Sequence, residues 1–122
     1  MSLAGRRILV VEDNFDVAYL IRTALEEHGA EIIGPAATVS GALALIAGTA
    51  QIDGATIDIN LGGEMAYAVI DVLRAQTVPI VIITGYDAKS LRPDYADMPS
   101  VRKPFRVERV IDSLLGRTWN SE

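Results

Sequence analysis

Near its start the chain reads ILVVEDN at residues 8–14, four apolar residues followed by two acids and an amide. A short continuous apolar run of this kind is typical of a strand buried in a parallel sheet. After it the spacing changes, because apolar residues recur at intervals of three and four from Val17 to Leu25. That period predicts an amphipathic helix. The stretch therefore predicts a strand that leads directly into a helix, with Glu12 and Asp13 at the junction.

The alternation of strand and helix patterns continues along the rest of the chain. Helical spacing recurs from Val39, from Met65 and from Val107. Between the helices lie apolar runs of the strand type, at residues 32–33, 55–57, 80–83 and, more weakly, near 101. Strands that alternate with helices predict right-handed crossovers and one parallel sheet covered on both faces.

Two breaks in this pattern are informative. Gly34-Pro35 is expected to close the second strand, since both residues favour turns. Between Tyr86 and Met98 the apolar spacing is loose and Pro93 interrupts it, so we expect a fourth helix that is short or irregular. With few apolar anchors, this segment is expected to be among the least stable parts of the fold.

Composition restricts the class of protein. The 122 residues suffice for one domain, expected to span residues 1–122 with a core from about 6 to 116. Half of the residues are hydrophobic and the net charge is −5, which argues against direct nucleic-acid binding. The absence of cysteine excludes disulfides, thiolate metal sites and cysteine nucleophiles. No apolar run is long enough to cross a bilayer and no leader opens the chain, so a cytoplasmic protein without membrane attachment is expected.

Polar residues follow four of the predicted strands. In a parallel sheet, ligands bind at the carboxyl ends of the strands, where the strand order reverses. The residues at those ends are Glu12 and Asp13, Asp58, Thr84 and Lys103. We therefore expect three carboxylates, one hydroxyl and one ammonium group to meet at one edge of the sheet.

Each of these residues also has an ordinary structural explanation. Asp13 or Asn14 would suit the N-cap of the first helix, and Asp58 the exit from a strand into a turn. Thr84 and Lys103 alone would be a strand-end hydroxyl and a solvated charge. Three crowded carboxylates, however, repel one another and require a nearby positive charge.

An all-oxygen site of this kind suits Mg²⁺. Asp13 and Asp58 would bind the metal, and Glu12 would hold it through water. The carboxylate of Asp58 would also be able to attack phosphorus and form an aspartyl phosphate. Lys103 and the metal would then neutralise the transferring group, which is the main contribution to phosphoryl-transfer catalysis.

The sequence strongly resembles the receiver domain of bacterial two-component response regulators. The matching stretches are ILVVEDN at residues 8–14, DGATIDINL at 53–61, IITG at 82–85 and KPF at 103–105. The resemblance implies a flavodoxin-like, three-layer α/β fold, doubly wound, with five parallel strands in the order 2-1-3-4-5. It also implies a phosphoryl donor, a phosphohistidine on a histidine kinase or on a histidine phosphotransfer protein.

The resemblance further implies a role for each site residue. Asp58 corresponds to the phosphoacceptor, and Glu12 and Asp13 to the acidic pair that binds Mg²⁺. Asn60 corresponds to the residue whose backbone carbonyl binds the metal. Lys103 corresponds to the lysine that contacts the phosphoryl group.

The remaining matched residues belong to the expected switch. Thr84 corresponds to the hydroxyl that turns toward the phosphoryl group, and Gly85 to the small residue that leaves room for it. Gly85 is also expected to form a partner-binding switch face with Tyr86, Pro104 and Phe105, next to the last helix. The sequence does not name the downstream protein partner, and it leaves a homodimer open.

The sequence departs from the receiver pattern in this switch region. Ser100 stands where receivers usually carry the aromatic that swings inward on phosphorylation, and the segment from Thr84 to Lys103 is shorter than usual. Thr84-Gly85-Tyr86 resembles instead a subset of stand-alone receivers, so we expect Tyr86 to act as the lever of the switch. Lys103-Pro104 is expected to be a cis peptide that aims the lysine at the acidic edge.

Three competing functions are weaker. A Mg²⁺-dependent hydrolase of the haloacid dehalogenase type would need a second Asp where this chain has Asn60. A flavodoxin would need a phosphate-binding loop after the first strand, where Glu12 and Asp13 would repel phosphate. A phosphorylation-independent protein-binding module with the receiver fold would not need all five site residues. We therefore expect a phosphoacceptor signalling domain that catalyses only its own phosphorylation and dephosphorylation.

Overall fold

The computed structural model describes residues 2–85, 91–95 and 98–116. Its elements follow in the order β1 (Arg7–Val11), α1 (Phe15–Glu27), β2 (Glu31–Ala36), α2 (Val39–Gly48), β3 (Gly54–Asp58), β4 (Asn60–Leu61), β5 (Glu64–Met65), α3 (Tyr67–Ala75), β6 (Ile80–Thr84), a 3-10 turn (Pro93–Tyr95), β7 (Ser100–Arg102) and α4 (Val107–Leu115). Within these described ranges, no helix is both long enough and apolar enough to span a membrane.

The main sheet confirms the predicted flavodoxin-like topology. Five parallel strands are arranged in the order β2-β1-β3-β6-β7, which is the order 2-1-3-4-5 once the small β4–β5 pair is set aside. Alternate residues of β1 lie in two separate hydrophobic cores, because successive side chains of a strand point to opposite faces. Helices α2 and α3 cover one face, and α1 and α4 cover the other. Strand β3 therefore lies at the centre of the sheet, covered on both sides.

The start of α1 decides between two candidate capping residues. Asn14 is the N-cap, and its Oδ1 accepts a hydrogen bond from the backbone N–H of Val17 at 3.0 Å. Because a neighbouring side chain already caps the helix, the carboxylate of Asp13 is left to face the cleft described below.

Two sequence-based boundaries are wrong. Strand β2 does not close at Gly34-Pro35 but continues to Ala36, which pairs with Val11 after a shift of register. Met65, predicted to begin the apolar stripe of the third helix, lies in β5, and α3 begins at Tyr67. Both errors have the same cause, because local spacing does not reveal which strand a short segment pairs with.

The connection between β6 and β7 is irregular, as predicted, with a single 3-10 turn among its described residues. Two of its few apolar residues, Leu91 and Tyr95, are both buried in the core shared with α3. The Tyr95 hydroxyl donates a hydrogen bond to the carboxylate of Asp71, and burial together with this bond raises the pKa of Tyr95. The Arg92 guanidinium lies 4.8 Å from the ring centroids of both Tyr67 and Tyr95. Tyr86, the expected lever, lies outside the described residues.

We predict that Tyr95→Phe lowers the free energy of unfolding by about 1–2 kcal/mol, because the variant loses the hydrogen bond from a buried hydroxyl to a charged acceptor while the ring is kept. Tyr19→Phe is the matched control. Because the Tyr19 side chain is exposed, loss of its hydroxyl should cost less than about 0.5 kcal/mol. Urea unfolding followed by circular dichroism measures both. Equal stability of the two variants would contradict the anchoring role of Tyr95.

Candidate functional site

The carboxyl ends of four neighbouring strands bring the predicted site residues together. Glu12 follows β1, Asp58 ends β3, Thr84 ends β6 and Lys103 follows β7. The strand ends are held in register by backbone bonds, including one from the Lys103 N–H to the Thr84 carbonyl at 2.7 Å. Because both faces of the sheet are packed, these residues have little freedom to move apart.

Asp58 lies at the bottom of the site and is only 3% exposed. Its Oδ2 accepts a hydrogen bond from the Lys103 ammonium at 2.7 Å, and its Oδ1 accepts one from the backbone N–H of Asn60 at 3.1 Å. Partial burial lowers the pKa of Lys103, but its bond to Asp58 and the charges of Asp58 and Glu12 outweigh that effect and raise the pKa above its usual value. Lys103 is therefore held as a cation against the central carboxylate.

Glu12 is almost fully buried beside this pair. Its Oε2 accepts a hydrogen bond from the Asn14 N–H at 3.1 Å and lies 3.6 Å from the Lys103 ammonium nitrogen. Its Oε1 is buried without a hydrogen-bond partner. Burial raises the pKa of Glu12 to about 7, partly offset by the Asn14 N–H and reinforced by repulsion from Asp58. The Lys103 ammonium lowers the pKa of Glu12 less than burial raises it, so burial favours a proton on Glu12.

The three acids can hold a metal ion. Glu12, Asp13 and Asp58 each offer a carboxylate oxygen within 4.8 Å of the others. The buried, unpartnered Oε1 of Glu12 is the kind of atom that a hydrated cation would satisfy, either directly or through water. Three carboxylate oxygens suit Mg²⁺, which prefers oxygen ligands and keeps several of its waters when bound. The residues present therefore fit the cation that the sequence predicted.

A cleft of about 520 Å³ opens above these carboxylates. It is lined by Asp13, Asn14, Asp58, Asn60, Gly62, Gly63, Gly85 and Lys103. Thr84, predicted to offer its hydroxyl, is buried next to the exposed Gly85 that lines the rim.

Pro104 and Phe105, which are also expected in the switch, directly follow Lys103 at the same edge. The cis peptide predicted at Lys103-Pro104 is confirmed. Pro104 is exposed, and Phe105 is half-buried against the core shared by α1 and α4. Among the described residues, these positions connect the cleft to the last helix.

Sequence reasoning missed one wall of the cleft, the hairpin formed by β4 and β5. Its turn is Gly62-Gly63, with positive φ angles of +63° and +100°. The Asn60 side chain fixes the turn, since its Oδ1 accepts a hydrogen bond from the Gly63 N–H at 2.8 Å. Two successive glycines between possible strands are a hairpin signal that would have identified this feature.

The fold agrees with comparisons to known proteins. A sequence model of the response regulator receiver domain matches residues 8–114. The solution structure of SdrG from Sphingomonas melonis is 34% identical, with 94% of this chain and 97% of that chain covered and a TM-score of 0.77. No curated protein sequence matched the chain significantly.

Two further structures show what similar proteins bind. The response regulator TrrA from Thermotoga maritima, in complex with Mg²⁺ and BeF, is 25% identical, with 90% and 96% of the two chains covered and a TM-score of 0.76. A response regulator from Burkholderia pseudomallei with a phosphorylated aspartic acid and a calcium ion is also 25% identical, with 89% and 66% covered and a TM-score of 0.75. The match over residues 8–114 and the likeness to SdrG show that this chain belongs to the response regulator receiver domain family.

Proposed function

We propose that this chain takes a phosphoryl group from a phosphohistidine onto Asp58 in a Mg²⁺-dependent reaction and that the phosphorylated form switches partner binding. The observation that carries the proposal is the Lys103 ammonium at 2.7 Å from Asp58, at the bottom of a cleft in which three carboxylates approach within 4.8 Å. Receiver domains are signalling domains rather than enzymes with a separate substrate. The phosphorylated aspartate and the Mg²⁺–BeF complex named for two similar structures support the same chemistry here.

The phosphoryl transfer uses the groups at the bottom of the cleft. A carboxylate oxygen of Asp58 forms the new P–O bond while the P–N bond of the donor breaks, and the bonding electron pair leaves with the imidazole nitrogen. Lys103, already held at Asp58, contacts the negatively charged phosphoryl oxygens. Glu12, Asp13, Asp58 and the backbone carbonyl of Asn60 would hold Mg²⁺, whose charge stabilises the transferring group.

In dephosphorylation, a water oxygen would form a new bond to phosphorus while the P–O bond to Asp58 breaks, which releases inorganic phosphate and restores the carboxylate. The chain would therefore catalyse only its own phosphorylation and dephosphorylation. The Thr84 hydroxyl would turn toward the phosphoryl group over the space left by Gly85. Because the Thr84 carbonyl accepts a hydrogen bond from the Lys103 N–H, a shift there would reach Pro104 and Phe105. These residues, with Gly85 and α4, form the proposed partner face. We propose that the protein acts in the cytoplasm.

The donor is itself a protein, so its docking needs a protein-binding surface beside the cleft. Phe15, Tyr19 and Leu20 of α1 are 72%, 61% and 48% exposed. Phe15 and Tyr19 line a depression of about 230 Å³ that also includes Glu12 and Asp13, and it is therefore continuous with the acidic site. Large apolar side chains exposed together commonly mark an interaction site. We therefore propose this part of α1 as the surface that receives the histidine kinase or phosphotransfer protein.

The role of Asp58 as phosphoryl acceptor can be tested with a small phosphodonor. Acetyl phosphate is expected to label the wild-type protein in the presence of Mg²⁺ and to leave Asp58→Asn unlabelled on a Phos-tag gel, because the variant lacks the nucleophilic oxygen. Asp16→Asn, which removes an exposed carboxylate from the first turn of α1, should label like the wild type. Equal labelling of Asp58→Asn and the wild type, or labelling that survives EDTA, would refute the assignment.

The raised pKa of Glu12 makes the stability of the protein depend on pH. Because the pKa of Glu12 rises from 4.5 to about 7 on folding, the folded protein keeps a proton that the unfolded chain has lost in this range. That contribution to stability is complete below pH 4.5 and is lost as the pH rises through 7. In EDTA, the free energy of unfolding should therefore fall by about 1–3 kcal/mol between about pH 5 and pH 8.

Glu12→Gln should flatten this pH dependence, whereas Glu27→Gln, an exposed change of the same charge on α1, should not. Added Mg²⁺ should restore stability at about pH 8, because the cation replaces the missing proton. Urea unfolding at the two pH values measures each effect. A wild-type slope in Glu12→Gln would show that another group is responsible.

Docking of the donor protein on α1 can be tested separately from the chemistry of the cleft. Phosphotransfer profiling against candidate histidine kinases would first identify the donor. Phe15→Ala and Tyr19→Ala should then slow phosphoryl transfer from that kinase by about tenfold, since buried aromatic side chains dominate binding energy at protein interfaces. Labelling by acetyl phosphate should be unchanged, because the cleft itself is intact. Val72→Ala, which truncates an exposed apolar side chain on α3, is the control. A similar loss with both donors would place the effect in the cleft rather than at a docking surface.

A further inference from the structure

The hairpin after Asp58 brings backbone, without side chains, to the outer side of the acidic site. Strands β4 and β5 pair through Asn60–Met65 and Leu61–Glu64, and the two glycines form the turn. The hairpin is fixed at its base, because Leu61 is buried and the Ala66 N–H donates a hydrogen bond to the Ile59 carbonyl at 2.8 Å. The turn is therefore a defined wall of the cleft.

The two glycines differ in what a side chain would meet. A Cβ atom added at Gly62 would lie 3.7 Å from Oδ2 of Asp13, whereas one added at Gly63 would meet no atom within 4 Å. Both glycines line the cleft. A methyl group at position 62 would therefore fit without a clash, but it would fill the space directly against a carboxylate oxygen of the proposed cation site.

We propose that Gly62 is a positioning residue for the cation, because its missing side chain leaves room for the water shell of Mg²⁺ at Asp13. Mg²⁺ gives up its waters reluctantly and keeps several of them when bound to carboxylates. A methyl group takes about the room of one water, ~30 Å³, and cannot accept or donate a hydrogen bond. This inference rests on the proposed function, since it takes the three carboxylates to be the Mg²⁺ site.

The backbone angles supply a strict control. Gly62 has φ +63°, inside the left-handed region that other residues enter at modest cost. Gly63 has φ +100°, outside that region, so Gly63→Ala strains the hairpin more than Gly62→Ala does. If distortion of the hairpin were the cause of weaker cation binding, Gly63→Ala would be the worse variant. If contact with Asp13 is the cause, only Gly62→Ala is affected.

The test is a Mg²⁺ titration of the isotopically labelled full chain, followed by NMR chemical shifts without any phosphodonor. Gly62→Ala should weaken Mg²⁺ binding by about tenfold, a typical effect of altering the surroundings of metal ligands, while Gly63→Ala should stay within about twofold of the wild type. Gly62→Asn fills the same space with a residue that adopts positive φ readily, so backbone strain is smaller, and it should also bind Mg²⁺ more weakly than the wild type. Thermal unfolding in EDTA verifies that each variant is folded.

Wild-type affinity in Gly62→Ala and Gly62→Asn would overturn the inference and leave the proposed function intact. Equal weakening in Gly62→Ala and Gly63→Ala would also overturn it, because strain in the hairpin would then be sufficient. A wild-type protein that does not bind Mg²⁺ would overturn both the inference and the cation part of the proposed function.

Discussion

Three carboxylates held within 4.8 Å of one another are the constraint on which the rest of the site depends. They cannot relax by moving apart, because two of them are fixed by buried strands whose faces are packed on both sides. The Lys103 ammonium compensates part of their negative charge, and a second means is a proton on Glu12, whose pKa is raised mainly by burial. A bound divalent cation would be the third. Proton, lysine and a bound metal would therefore all compensate the same charge.

Lys103 connects that charge to the rest of the domain. Its side chain binds Asp58, and its backbone N–H donates a hydrogen bond to the carbonyl of Thr84. The residues after it lead to Phe105, which packs on the core shared by α1 and α4. If the lysine side chain changes its partner, we therefore expect the neighbouring residues along this edge of the sheet to shift. On the other side of β6, Tyr95 anchors the irregular connection to α3 through Asp71.

The connection between β6 and β7 contains two tyrosines, of which the structure describes one. Ser100 offers no ring beside Thr84, and the sequence suggested Tyr86 in its place. The aromatic that the structure does show in this connection is Tyr95, whose ring is fully buried against Tyr67. Its role is visible only in three dimensions, because its partner Asp71 is 24 residues away. Pro93, which predicted an irregular connection, begins the short 3-10 turn that ends at this buried ring.

The sequence by itself determined the layers, the strand order implied by the family pattern, and the five polar residues at the strand ends. It did so because the periods of strand and helix differ, and because parallel strands deliver the residues that follow them to one edge. Tertiary structure decided which local option was used: Asn14 rather than Asp13 caps α1, and Lys103 binds Asp58. It also decided the hairpin at Gly62-Gly63 and the burial of Tyr95. The Lys103–Asp58 pair and the burial of Tyr95 depend on residues far apart in the chain, and the hairpin consists of strands of two residues, so none of these features leaves a periodic signal in the sequence.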